Sequence, residues 1–204
     1  MARFEPPLAP GVEGSAGLRD GTEVFVRVAR GDDKDLLLHF LRTISPESLE
    51  LRFFGAMRPE TACDMLLIEG PSLLQLSLIA LSRDSRSSRI VGQAEYVRSS
   101  STAPTAEVAF LMGDDWRGRG LGTILLHRLA RAAVGLGIKR FEARVLPQNL
   151  EMLEVFRESG YATQEKHAAD EVRIIFPITE EGVASSMGVP RILRGDRFEP
   201  LGSK

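Results

Sequence analysis

Apolar and polar positions change their spacing several times along this chain, and each change marks an element. Val24-Phe25-Val26-Arg27-Val28 reads as a first strand. Leu36, Leu37, Phe40, Leu41 and Ile44 follow at helical spacing, with Asp32 and Asp33 where the helix dipole is positive. Ser45-Pro46 opens a second helix, serine capping and proline taking the first turn; it carries Leu49, Arg52, Phe53 and Phe54 and stops at Gly55. A third helix follows Arg58-Pro59, with Met65, Leu66 and Ile68, until Gly70-Pro71 breaks it. The period then becomes strand-like over Leu74 to Leu81 and Arg89 to Val97, joined by a Ser/Arg-rich turn from Ser82 to Ser88. A polar loop over 98–105 leads to a strand at 106–112. Leu121, Leu125, Leu129, Ala132 and Leu136 form the apolar stripe of a long helix, with His127, Arg128 and Arg131 beside or behind it. Arg140 to Val145 reads as a strand. Asn149, Met152, Leu153 and Phe156 share one helix face closed by Gly160, and strands from Tyr161 onward and over Val172 to Phe176 end at Pro177.

That order predicts a mixed α/β domain in which helices cover a central sheet. Residues 1–20, with Pro6, Pro7 and Pro10 and no period, read as a mobile arm; 21–178 read as one domain and 179–204 as a tail or linker.

The net charge of −2 and the lack of a basic stripe remove the electrostatic case for nucleic acid. Arg83, Arg86 and Arg89 read as a solvated turn. The single cysteine, Cys63, excludes an internal disulfide framework, fits a reducing, cytoplasmic setting and reads as a structural thiol. No apolar run nears the ~20 residues that span a bilayer, and no secretory leader pattern is present at the N-terminus. His39, His127 and His167 lie far apart, so no metal site is expected.

The informative chemistry lies in Arg117-Gly118-Arg119-Gly120-Leu121-Gly122, between a strand and a long helix. Glycines at alternate positions keep Cβ atoms out of a turn where backbone N–H groups converge, and the following helix adds its positive end. Amides from Gly118 to Thr123, including Leu121, make a seat for a pyrophosphate. The other reading is a tight strand-to-helix turn with no ligand. Glu107 lies in the strand bordering that seat.

Arg117-x-x-Gly120-x-Gly122 in this context resembles the acyl-CoA signature of the GCN5-related N-acetyltransferases. The segment Asn149 to Tyr161 is similar to that family's Asn-led helix ending in glycine plus an aromatic residue. The resemblance spans about residues 22–178. It implies a mostly antiparallel, mixed sheet of six to seven strands flanked by about four helices, with acetyl-CoA as the acyl donor. A narrower likeness, carried by Ser45-Pro46-Glu47-Ser48, Leu51-Arg52-Phe53-Phe54-Gly55, Ala106-Glu107-Val108-Ala109-Phe110 and Asp114-Asp115-Trp116-Arg117, is to the Pat-type protein lysine acetyltransferases. In those proteins the catalytic domain is often fused to a regulatory or synthetase-like domain; nothing of that size lies within this sequence, which reads either as a stand-alone version or as a piece ending at a linker, and the tail after Pro177 fits either.

The likeness implies roles residue by residue. Glu107 matches the catalytic glutamate and would take the proton of an amine whose pKa is about 10.4, helped by burial. The other readings are that Glu107 is a salt-bridge partner on an outer strand position, and that Glu95 is the base. An amide on the same strand would hold the thioester oxyanion: Leu111, with Met112 the neighbouring choice. Leu111 and Met112 would thus also touch the donor, together with the side chains of Arg117 and Arg119. Asn149 would contact the pantetheine arm or cap its helix. Relatives place at the position of Phe156 a tyrosine that protonates the thiolate, which phenylalanine is unable to do. Trp116 and Phe53-Phe54 read as core or acceptor-rim aromatics. The implied acceptor is a protein lysine, with an AMP-forming acyl-CoA synthetase as a candidate; a small amine, and an acyl-CoA-sensing module without turnover, are the competing readings. Oligomeric state is left open.

Overall fold

The computed structural model of the chain describes residues 8–66, 72–84 and 87–179. Eight strands form one sheet: β1 (Gly14–Gly17), β2 (Glu23–Val28), β3 (Gln75–Asp84), β4 (Ser87–Val97), β5 (Thr105–Met112), β6 (Arg140–Val145), β7 (Gln164–His167) and β8 (Val172–Pro177). Their order is β1-β2-β3-β4-β5-β6-β8-β7, and β5 with β6 is the parallel pair among antiparallel ones. The helices among the described residues are α1 (Lys34–Thr43), α2 (Pro46–Phe53), α3 (Pro59–Leu66), α4 (Leu121–Val134) and α5 (Leu150–Arg157). This is the expected mixed α/β class, with one strand and one helix beyond the expected numbers.

Two hydrophobic layers hold the sheet. On one face, Val26, Leu78, Tyr96, Phe110 and Phe141 pack against Leu125, Leu129, Leu153 and Phe156 of α4 and α5. On the other, Ile79, Leu81, Ile90 and Leu111 pack against Leu37, Phe40, Leu49 and Cys63 of α1–α3. Leu78 and Ile79 therefore serve opposite layers, and a central strand with both faces covered reads as an apolar run. Cys63 is buried, and that burial pushes its thiol up.

The extra strand corrects the reading of residues 1–20 as a mobile arm, as far as they are described. Gly14–Gly17 pair with β2, and Val12 and Leu18 on either side are buried. Arg128, buried on α4, donates to the carbonyls of Gly14 (2.7 Å), Ser15 (2.8 Å) and Val12 (3.3 Å). A Gly-Ser-Ala-Gly strand shows no apolar alternation because backbone pairing and one guanidinium hold it. The turn expected over Ser82 to Ser88 is also shorter, since β3 runs to Asp84 and β4 starts at Ser87. The rest of the arm (1–7), the end of the third expected helix (67–71), Arg86 and the tail beyond Thr179 lie outside the described residues. No helix among the described residues is long and apolar enough to cross a membrane.

Two local features aim the front of α4 at the sheet. Val91 is an extra residue in β4, because Ala80 faces Gly92 while Leu81 faces Ile90. Gly92 then admits the helix: a Cβ there would lie 2.9 Å from Leu121 Cδ2 and 3.3 Å from Met112 Sδ.

Replacing Arg128 by methionine leaves two carbonyls of β1 (Gly14 and Ser15) and that of Val12 before it without their donor. The expected cost is about 2–3 kcal/mol, or roughly 5–10 °C in Tm for a domain of this size. Thermal denaturation with amide exchange should show the lower Tm and faster exchange over Gly14–Gly17. An unchanged Tm with protected β1 amides would contradict this role.

Candidate active site: a cleft where two strands part

Strands β5 and β6 pair only from Thr105–Arg140 through Glu107–Glu142. Beyond Glu107 they diverge, and a hollow of about 300 Å³ opens between Val108, Phe110, Ala143, Val145 and Met152. It shares Leu51, Arg52, Phe110, Asn149 and Met152 with a larger cleft of about 820 Å³ that ends on the glycine turn.

The turn has the backbone its sequence demands. Gly118 and Gly120 have φ of +68° and +86°, a region that side-chain-bearing residues rarely enter. Ile124 N–H bonds Gly120 C=O at 3.2 Å, so the amides of Leu121, Gly122 and Thr123 lie ahead of the first intrahelical bond. All three residues line the cleft with Gly118 and Gly120. This is an anion seat at the positive end of a 14-residue helix. Gly122 also lets α5 approach, since a Cβ would sit 3.1 Å from Val155 Cγ2.

The orientation of β5 separates the two candidate amides. Gly113 N–H bonds Val91 C=O on β4 at 2.9 Å, whereas Pro104 C=O accepts from Arg140 N–H at 3.1 Å at the β6 end. Pairing with β4 is unbroken from Glu107 to Met112, so alternation carries both directions along the strand. Leu111, opposite Gln93, turns its N–H to β4 and its side chain into the α1–α3 layer. Phe110 and Met112 turn theirs to the side from which β6 has departed. Leu111 is thereby corrected as the oxyanion donor: its amide is spent in the sheet.

The motif arginines are engaged as well. Arg117 bonds Asp114 Oδ1 (3.0 Å), Glu151 Oε2 (3.4 Å) and Ser48 Oγ, tying the turn to α2 and α5. Asp114 also accepts from Ser45 N–H (2.8 Å) and Ser48 Oγ (2.5 Å). Partial burial works against the ionised Asp114, but those hydrogen bonds and the Arg117 cation win and hold its carboxyl below the usual range. Arg119 pairs with Asp20 at 3.1 Å and lies 5.2 Å from the ring centre of Trp116, outside the cleft lining. Asn149 caps α5, its Oδ1 accepting from Met152 N–H at 3.2 Å, and the residue also lines the cleft.

Two carboxylates stand on the α1–α3 face, each bonded to an arginine that lines a hollow. Glu107 Oε1 receives both Arg144 Nη2 (3.0 Å) and Nε (3.2 Å). With half its side-chain surface exposed, at 51%, Glu107 lacks the expected burial. Glu95 is enclosed and bonded to Arg52 at 2.5 Å. Burial pushes the Glu95 carboxyl up despite that cation, and burial likewise pulls the Arg52 guanidinium down. The Arg52 guanidinium is 4.9 Å from the Phe53 ring centre, while Phe54 is exposed at φ +62°. Phe156 sits in an aromatic cluster, 5.7 Å from both Phe110 and Phe176, with no proton to give.

Arg52, Ser48, Asp114, Arg144 and the Phe110 amide are site groups that the sequence pattern did not single out. Ser48, Arg52, Phe110 and Asp114 stood in the motifs that carry the likeness, but without a role or a partner, and Arg144 had no signal.

A turn of amides at a helix N-terminus, a strand gap leading from it and carboxylates beyond the gap are the features that suit an acyl-CoA-dependent transferase. The profile of the acetyltransferase (GNAT) family matches residues 48–161, and the chain belongs to that family. It is similar to acetyltransferase Pat of Mycolicibacterium smegmatis, 30% identical over 143 residues, which are 70% of this chain and 42% of that protein. The chain thus corresponds to less than half the length of that relative. The GNAT domain of S. lividans PAT superposes with a TM-score of 0.72 at 31% identity, covering 84% of this chain and 99% of that one. Mycobacterium smegmatis RimJ in complex with CoA-disulfide shares the fold at 17% identity and a TM-score of 0.61, covering 86% of this chain and 92% of that one.

A methyl group at Gly120 forces an L side chain into the φ +86° conformation and meets Arg19 Cγ at 3.3 Å. Relaxation of the turn by ~1–2 kcal/mol should weaken CoA about tenfold in Gly120→Ala, read from the fluorescence of the sole tryptophan, Trp116, in the cleft wall. Unaltered affinity would mean that the turn is not the seat.

Proposed function

We propose that this acetyltransferase moves the acetyl group of acetyl-CoA to the ε-amine of a protein lysine, with Glu107 as general base. The observation that carries the reading is the place of Glu107 at the fork of β5 and β6, with Arg144 bonded to Oε1 alone. That bond fixes the carboxylate and leaves Oε2 to accept a proton, directly or through one water.

An ammonium with a pKa near 10.4 is almost wholly protonated at neutral pH, so attack needs a proton acceptor. Glu107 takes the proton while the nitrogen bonds the thioester carbon. The amides of Phe110 and Met112, turned into the strand gap, stabilise the oxygen that gains charge. The C–S bond then breaks and the sulfur departs as thiolate, whose intrinsic pKa is about 8.5. Water reprotonates it, since Phe156 offers no acid. The likeness to Pat supports a protein lysine as acceptor and makes an AMP-forming acyl-CoA synthetase a candidate target. A base at the fork is superfluous in a module that only senses acyl-CoA.

Glu107→Gln should lower kcat/KM about a hundredfold and leave acetyl-CoA affinity unchanged, measured by CoA release with a purified acceptor protein. Mass spectrometry of an extract incubated with labelled acetyl-CoA should place the label on lysines. Equal turnover by Glu107→Gln would remove Glu107 from the mechanism, and label found only on free amines would overturn the acceptor.

A further inference from the structure

Arg119 is the motif cation next to the glycine turn, yet its side chain does not reach the cleft. Asp20 holds it at 3.1 Å and Trp116 stacks beneath it. The residue before Asp20 lies in the cleft instead. Arg19, on the turn between β1 and β2, lines the same hollow as Gly118, Gly120 and Thr123, and its Cγ lies 3.3 Å from where a Gly120 Cβ would be. The turn that carries it is tightly closed, with Leu18 N–H bonded to Thr22 C=O (2.8 Å), Gly21 N–H to Leu18 C=O (3.0 Å) and Thr22 N–H to Asp20 Oδ1 (2.9 Å). It is also pinned to the glycine turn, because Arg19 N–H donates to Arg119 C=O at 3.0 Å. The Arg19 guanidinium rests against Glu158 at 3.3 Å, with the Arg19 side chain largely and that of Glu158 partly in solvent. Such a pair contributes little and exchanges readily.

We infer that Arg19 is a phosphate-binding residue of the donor site, bonding the diphosphate of CoA in the place that Asp20 denies to Arg119. The β1–β2 turn is then a wall of the seat, and the neighbouring Arg19 and Asp20 act together: one supplies a cation, the other withdraws one. A guanidinium suits this task because its forked N–H groups match phosphate oxygens. The inference rests on the donor's diphosphate occupying the glycine turn.

Calorimetry with CoA, 3′-dephospho-CoA and pantetheine separates the possibilities. Arg19→Ala should bind CoA and 3′-dephospho-CoA about tenfold more weakly than the parent. Arg19→Lys should recover most of that loss, and pantetheine, which has no diphosphate, should bind parent and variants alike. CoA affinity within twofold of the parent, or an equal loss with pantetheine, would overturn the role. A loss seen with CoA but not with 3′-dephospho-CoA would also overturn it, by moving Arg19 to the 3′-phosphate. Failure of the parent itself to bind CoA would remove the seat, a result distinct from failure of Arg19 alone.

Discussion

Strands β5 and β6 keep company for three residue pairs and then separate, and the site follows from that separation. A parallel strand whose neighbour leaves it exposes a row of backbone donors that would otherwise be consumed in the ladder. Here the amides of Phe110 and Met112 are freed, while alternate residues stay bonded to β4. The same parting opens the hollow lined by Val108, Phe110, Ala143, Val145 and Met152. It leaves Glu107 as the last residue still flanked by β6, half-exposed at the fork.

The rest of the fold keeps that gap open and closes it at one end. Helix α4 is brought down at the end of β5 by a glycine on β4, and its first turn supplies amides where the gap ends. Helix α5 lines the far wall through Asn149 and Met152, and Gly122 lets it draw near. Arg117 binds α2, the Asp114 turn and α5 together, so it acts as a strut for the seat. On the opposite face the two carboxylates behave differently because their surroundings differ. Arg52 and Glu95 are both enclosed, where removing one partner would strand the other charge at a cost of ~3–5 kcal/mol. Arg144 and Glu107 are half in solvent, where the pair adds little stability and chiefly fixes an orientation.

The elements were legible wherever apolar spacing was strong. The stripe from Leu121 to Leu136 and the run Asn149, Met152, Leu153, Phe156 both mark helices in the structure, and the glycine turn falls between β5 and α4 as its motif demands. The first strand was hidden, since Gly14–Gly17 bury little and depend on a guanidinium more than a hundred residues away. Which amides of β5 face the gap was illegible for a different reason. Sequence gives the parity of a strand but not which neighbour lies on which side, so Leu111 and Met112 look equivalent until β4 is placed. Arg19 was missed because it falls in a segment without period, and the pairing of Arg119 with Asp20 is a contact between distant parts of the chain.

Hydrogen–deuterium exchange with and without CoA tests the central claim, that the glycine turn and the strand gap together form the donor site. CoA should protect the amides of Gly118 to Thr123, and with them those of Phe110 and Met112, while Leu111, already bonded to β4, should change little. Protection confined to other parts of the chain, or none at saturating CoA, would contradict the account.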